Sequence, residues 1–279
     1  MSEWVDVTGE LRPADEPALR LDNRAFHFGD GLFESIRVIG GRAQFVDAHW
    51  ARLSTGADLL RITLPQGLDR QRFGEALDAI IKRSVADSGR LRFTLYRGGQ
   101  GYYRPESDQG VYTIELKPLA DARYVLNATG LLGEIWPEMR KPVNELSRHK
   151  TLNCQYYIMA ALWSRARGLD DCLLQNDRGN IIESSAGNLF IVSNGVLYTP
   201  SLTDGCLGGV MRAQVINLAL ANGIKVYECS LNPQNLLAAD ELFFTNAIQG
   251  LRWAGGYRTK RYAHKLAGAI TELLATLTG

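Results

Sequence analysis

The sequence predicts a mixed α/β (α+β) chain in two parts, a smaller α/β domain first and a larger domain after it. Three observations predict this. Strand-period and helix-period stretches are interleaved, but never in the regular βαβ alternation of a doubly wound nucleotide fold. A chain of 279 residues with 46% hydrophobic and 22% charged residues has enough apolar material for two cores. The boundary falls where a run of strands gives way to a segment carrying two prolines. Residues 1–118 form the first domain, 119–133 the connection and 134–279 the second domain.

The elements follow in order. FESIRVIGGRAQFVD (33–47) alternates in strand fashion around Gly40-Gly41, which predicts a hairpin. Asp47 is placed to cap the helix of DAHWARLSTGADLL. A second helix is expected over about 69–86, with Ile80, Ile81 and Val85 facing inward. Strands are expected at 89–99, 111–119 and 124–132, and a connecting or site-lining loop at EIWPEMRKPVNELS (134–147). A helix over about 153–167 ends at Gly168. The stretch 170–200 reads as a meander of short strands, with turns at Asp177–Asn180 and Asn194-Gly195. A helix near Gly209, strands at 224–229 and 242–246, and an amphipathic helix over about 263–277 complete the chain.

The bulk numbers narrow the function. A formal net charge of +1 argues against nucleic acid or an anionic membrane as partner. The start MSEWVDVTGE has no basic stretch followed by an apolar one, and no apolar run reaches membrane-spanning length, so a cytoplasmic protein is expected. Cys154, Cys172, Cys206 and Cys229 form no CxxC pair, which fits reduced thiols. His27, His49, His149 and His264 are too scattered to argue for a metal site.

The chemistry starts at Lys150, in NELSRHKTLNCQYY. The chain carries 31 basic residues and only seven are lysines, so a lysine beside an uncharged TLN stretch invites a chemical reading. A desolvated lysine can lose its proton and attack a carbonyl, which arginine cannot do. A Schiff-base lysine usually serves pyridoxal phosphate, and that cofactor needs a partner for its ring nitrogen and donors for its phosphate. Glu183, among small residues between two apolar strands, is the candidate for the nitrogen; it also suits an exposed turn. The Gly208-Gly209 turn into a helix offers the Val210 and Met211 amides to an anion. Arg52 in AHWARL is a candidate cation. RGGQGYY (97–103) precedes no helical pattern, so it is read as a flexible loop over a site, with Tyr102 available to substrate.

Together these residues resemble the class IV (fold type IV) pyridoxal-phosphate aminotransferases. The likeness runs over residues 20–277 in family order: DNRAFHFGDGLFESIRV, AHWARL, HKTLN, ESSAGNLF, YTPSLTDGCLGGVMR and ADELFFTNA. It implies pyridoxal 5'-phosphate as cofactor and Lys150 as the internal-aldimine lysine and catalytic base. It implies Glu183 on the pyridine nitrogen, with Arg52 and the Val210 and Met211 amides on the phosphate. Asn246 and Ala247 would lie near the phosphate from another strand, although TNAIQG replaces the family's usual SGTAAE. The resemblance also implies a homodimer, with the active site between the two domains.

Within the family the motifs lean to the aminodeoxychorismate lyases, which make 4-aminobenzoate and pyruvate. KTLN, RGGQGYY, GVMR and TNA resemble that group most, and Ser35 falls where it tends to carry a threonine suspected of acid–base work. Cys154 takes the place of the tyrosine that branched-chain enzymes have after the lysine. Phe33 and GYYRP replace the tyrosine and the Arg-x-His pair of D-amino-acid enzymes. Arg37 and Arg92 are candidate carboxylate clamps. Two arginines suit 2-oxoglutarate as well, so an amino-acid transaminase stays open, acting on branched-chain L-amino acids or D-amino acids.

Overall fold

The computed structural model describes residues 4–16 and 19–279. The chain divides into two compact units: Met1–Arg123 with His149–Asn153, and Tyr124–Arg148 with Cys154–Thr278. The lysine segment thus belongs with the first unit, whereas the sequence places it in the second domain. The switch itself falls at Arg123/Tyr124.

The first unit contains β1 (Trp4–Val7), β2 (Glu10–Pro13), α1 (Arg24–Phe28), β3 (Gly31–Ile39), β4 (Arg42–Ala43), α2 (Val46–Leu59), α3 (Arg70–Ser84), β5 (Gly89–Arg97) and β6 (Gly110–Pro118). Its strands form one antiparallel sheet in the order β2-β1-β6-β5-β3-β4. The β3–β4 turn uses Gly40 and Gly41 at φ 56° and 68°, a pair of left-handed positions that only residues without a Cβ adopt cheaply. Cross-strand partners share a face. Leu32, Ile36 and Val38 lie with Leu91, Phe93 and Leu95 in the core, packed with Leu53 of α2 and Phe73, Leu77, Ile80 and Ile81 of α3. The odd-numbered residues of β3, from Phe33 to Arg37, occupy the opposite face.

Two details of this unit differ from expectation. Asp47 does not cap α2; the N-cap is Phe45, at φ 55° and with no side-chain cap bond, while exposed Asp47 pairs with Arg70 of α3. Val85 does not face inward: it is the left-handed C-cap of α3 and is 81% exposed. In both cases the helix boundary lies about two residues from where periodicity puts it. Asp69, by contrast, caps α3 by accepting from Arg72 N.

The second unit contains β7 (Leu131–Ile135), α4 (Gln155–Ala166), β8 (Asp171–Gln175), β9 (Ile181–Ser184), β10 (Asn188–Ser193), β11 (Val196–Pro200), α5 (Val210–Ala221), β12 (Val226–Cys229), α6 (Pro233–Ala238), β13 (Glu241–Asn246), β14 (Gly250–Tyr257), β15 (Lys260–Arg261) and α7 (Lys265–Thr278). The main sheet runs β12-β11-β10-β13-β14-β7-β8-β9, and β9 also pairs with β10, so the central strands close on themselves. The closing pair is Asn188↔Glu183. One core gathers Leu173, Leu189, Leu236, Leu242 and Phe244, and another Trp136, Trp163, Leu174 and Ile182.

The strand expected at 124–132 starts only at Leu131. Asn127 explains the delay: its side chain accepts from Trp253 N and donates to Trp253 O and Thr129 O, so the segment is tied by side-chain bonds where a ladder was expected. The segment expected as a loop from 134 begins as the end of β7, and a 3-10 turn covers Glu145–Arg148. Among the described residues no helix is long and apolar enough to cross a membrane.

Candidate active site

In the first unit, Lys150 is fixed by its main chain. Its carbonyl accepts from Phe33 N (2.9 Å), and Leu152 N donates to Gly31 O (2.9 Å), an antiparallel bridge onto the start of β3. Its Nζ lies 4.3 Å from the centroid of the Phe33 ring. The Arg92 guanidinium lies 4.0 Å from the same centroid and 3.8 Å from Glu115. Ser35 is directly opposite Arg92 in the β3–β5 register, and Arg90 Nη2 approaches Ser35 Oγ at 3.5 Å. An amine, a hydroxyl and two arginines therefore share one patch of sheet. Arg37, on the same face, is 3% exposed and donates to the Asp121 carbonyl.

Arg52 of α2 is gripped by a carboxylate on the core side of β3. Its Nε donates to Glu34 Oε1 (2.8 Å), its Nη2 reaches Oε2, and His49 Nδ1 meets the same Oε2 at 2.6 Å. Burial alone would raise the Glu34 carboxyl; the Arg52 charge and the His49 hydrogen bond overcome it and hold the group at about 2. Burial also lowers His49, against the pull of Glu34. A neutral ring with Nδ1–H directed to Glu34 satisfies both groups. The guanidinium is thereby set in one orientation, as a phosphate-binding cation needs.

The 97–104 loop is better anchored than its glycines imply. Arg24, 4% exposed, sends Nη1 to the carbonyls of Gly101 (2.9 Å) and Tyr102 (2.7 Å) and Nε to Asp30 (2.8 Å). The Tyr102 and Tyr103 side chains remain 83% and 92% exposed.

In the second unit the candidate residues converge on Asn188. It pairs with Glu183 on one side and with Thr245 on the other. Its Nδ2 donates to Leu207 O (2.7 Å), and a Cβ at Gly209 would sit 1.8 Å from its Oδ1. The sheet closure thus draws β9, the start of β13 and the turn into α5 together. Val210 and Met211, buried at 5% and 1%, begin α5 with no side-chain cap. First-turn amides without a side-chain cap are donors that can meet an anion. The Thr245 hydroxyl is also buried, and no partner for it exists among the described residues. Asn246 serves a turn, accepting from Ile248 N and Gln249 N, and the Ala247 carbonyl accepts from Tyr124.

Glu183 is 2% exposed and fully engaged on one side. Oε1 receives Lys141 Nζ (2.6 Å) and Tyr157 Oη (3.0 Å); Oε2 receives Leu207 N (2.9 Å). Sequence reasoning missed this group, and Arg90, Glu34 and His49 besides. Lys141 lies in a segment of no periodicity. Tyr157 lies one turn beyond Cys154, the residue that register reasoning put in the tyrosine's place; Cys154 is the N-cap of α4.

Comparison with known proteins identifies the family. The sequence profile of the family described as amino-transferase class IV matches residues 31–254. A protein of Methanocaldococcus jannaschii, provisionally named a branched-chain-amino-acid aminotransferase, is 33% identical over 97% of this chain and 93% of its own. The branched-chain aminotransferase of Thermoproteus uzoniensis, solved with norvaline, superposes with a TM-score of 0.90 at 25% identity, over 100% of this chain and 95% of that one. A Legionella pneumophila structure, provisionally named a 4-amino-4-deoxychorismate lyase, gives 0.83 at 27% identity, over 94% of this chain and 96% of that one. The chain belongs to the class IV aminotransferase family, of fold type IV, whose enzymes depend on pyridoxal phosphate.

The residues present fit that cofactor. A carboxylate offers about four acceptor positions, and the three bonds to Glu183 leave room for a ring N–H. The uncapped amides of α5 and the unpartnered Thr245 hydroxyl suit a phosphate.

Proposed function

We propose that this enzyme breaks the C–H bond at the amine-bearing carbon of a small carboxylate-bearing substrate, with Lys150 as the group that anchors the cofactor and carries the proton. When bound, pyridoxal phosphate supplies an electron-withdrawing ring that acidifies this C–H. Glu183 faces the ring nitrogen. Arg52 and the Val210 and Met211 amides hold the phosphate, with Asn246 and Ala247 ordering the neighbouring turn.

The observation that carries the reading is the shared Phe33 ring. Lys150 and Arg92 both contact it, so a carboxylate held by Arg92 is kept within a small molecule's length of the amine. Arg90 and Arg37 extend the same basic face, and exposed Tyr102 is a further substrate contact.

For the particular reaction we favour a 4-amino-4-deoxychorismate lyase. That substrate carries two carboxylates, and its C–O bond must break as pyruvate departs. Ser35, opposite Arg92, is then the hydroxyl that relays a proton to the leaving group. The Legionella likeness supports this reading. A transaminase of branched-chain L-amino acids is the second reading, favoured by the M. jannaschii relative. The assay that separates them measures 4-aminobenzoate and pyruvate from 4-amino-4-deoxychorismate beside transamination of L-leucine and D-alanine with 2-oxoglutarate. Pyruvate release that needs no keto acid is expected; robust turnover of leucine would replace the lyase reading. We further propose a cytoplasmic location and a homodimer, the dimer supported by the exposed Phe26 of α1 and the exposed Tyr102 and Tyr103 of the 97–104 loop.

A further inference from the structure

Lys141 is a buried charge that the reading above leaves unused. Its side chain is 8% exposed, and an ammonium so placed is costly unless every donor is met. Here they are met. Nζ donates to Ser147 O (2.9 Å), Tyr157 Oη (2.8 Å) and Glu183 Oε1 (2.6 Å), which uses its three protons. Its main chain is fixed as well: Lys141 N donates to Gln175 O (2.9 Å), and its carbonyl accepts from Asp177 N (3.1 Å). A lysine held at both ends in this way has one geometry to impart, and the group it imparts it to is Glu183.

The bonds to Glu183 divide the carboxylate. Lys141 and Tyr157 occupy Oε1, and Leu207 N occupies Oε2 from the turn that leads to α5. Burial and the Glu183 charge push the Tyr157 phenol well up, so it serves as a donor to Glu183. The carboxylate cannot rotate without breaking a charge-assisted bond, and its remaining acceptor position is aimed. A structural pair would not need this: apolar side chains of like volume commonly replace buried ion pairs without loss.

We infer that Lys141 is a positioning residue for the cofactor ring: through its ion pair with Glu183 it fixes the orientation and charge of the carboxylate that meets the ring nitrogen. This rests on the assignment of Glu183 to that nitrogen. Without its balancing cation the carboxylate, 2% exposed, would turn to other donors, and its contact with a ring N–H would be lost.

The test compares pyridoxal phosphate with 1-deazapyridoxal phosphate, in which C–H replaces the ring nitrogen, as ligands of the apoprotein. The wild-type chain is expected to prefer the natural cofactor by about tenfold or more, the size of one charge-assisted hydrogen bond. Glu183→Gln should abolish the preference, and Lys141→Met should abolish most of it, while Lys141→Arg keeps it. Thermal unfolding of each apoprotein shows which variants are folded; Lys141→Gln, which keeps a donor without the charge, takes the place of the Met variant if that one is not. If the neutral Lys141 variant binds both ligands more weakly by one common factor, the lysine is merely structural and the inference is overturned. If wild type shows no preference, or Glu183→Gln leaves it intact, the Glu183 assignment fails and takes the inference with it. The two failures are therefore distinct.

Discussion

At the residue scale, Ser35 and Arg92, which share one face of β3 and β5, have separable roles in the proposed reaction, because they would act on different parts of it. Arg92→Gln keeps polarity and removes the charge that holds a carboxylate. KM should rise about tenfold or more with kcat little changed, as expected for loss of a charge-assisted bond made in ground and transition state alike. Ser35→Ala should instead lower kcat by about 100-fold if the hydroxyl moves a proton; steady-state kinetics on the two variants checks both. Glu34 is structural in a different way. Its carboxyl sits at about 2 in the folded chain, against 4.5 ordinarily. A depressed acid contributes stability that is fully present above the ordinary value and is lost as pH falls towards the folded one. Denaturant unfolding from pH 5 down to pH 2 should show a loss of stability that Glu34→Gln lacks, the variant being less stable than wild type at neutral pH. These residues were unequally legible in the sequence. Lys150 and Glu183 stood out because each is an odd choice in its local pattern, whereas Arg52, ordinary alone, gained its role from the AHWARL motif of the resemblance. Lys141 did not, since 42 residues separate it from Glu183 and only the folded sheet makes them partners. The Glu34–His49–Arg52 cluster was hidden for the same reason: strand and helix each look ordinary alone.

At the element scale, the turn into α5 and the closing pair of the second sheet shape the proposed phosphate site. Gly209 shows how tightly they are fitted. Its φ is an ordinary −71°, so its role is close approach, and a Cβ would overlap the Asn188 amide. Gly209→Ala should push Asn188 off Leu207 O and shift the first turn of α5. Cofactor affinity measured by equilibrium titration should fall by about tenfold or more, while circular dichroism keeps the helical signal. The long elements were readable in advance. The β3–β4 hairpin, α3, α4, α5 and α7 all follow strong periodicity; Gly168 marks the end of α4, and the Asn194-Gly195 turn marks the join of β10 to β11. The short ones were not. Strands β1 and β2, four residues each, and helix α1, five, are too brief to show a period, and they exist because a sheet edge or a buried arginine holds them. The segment at 124–130 misled in the other direction. Its alternation suits a strand, but Asn127 takes Trp253 by side chain and main chain and leaves no ladder to form.

At the scale of the whole molecule, the lysine's attachment is the feature a linear reading misplaces. Composition and element order lead to two domains, but not to a chain that returns to the first one for His149–Asn153. That return is made by two backbone bonds to β3, which carry no side-chain signature. The exposed aromatic side chains of α1 and the 97–104 loop belong to this scale too. Sedimentation velocity should give twice the chain mass, and Tyr102→Asp with Tyr103→Asp should shift the protein towards monomer; a monomeric wild-type chain would remove the dimer from the account. The central claim is that one lysine out of seven carries the cofactor. The most direct measurement adds pyridoxal phosphate to the apoprotein, reduces with borohydride and maps the modified peptide by mass spectrometry. A single phosphopyridoxyl group is expected on Lys150 and none in Lys150→Ala, which should also lose the visible absorbance. A label on Lys141 or any other lysine, or no stoichiometric label at all, would contradict it.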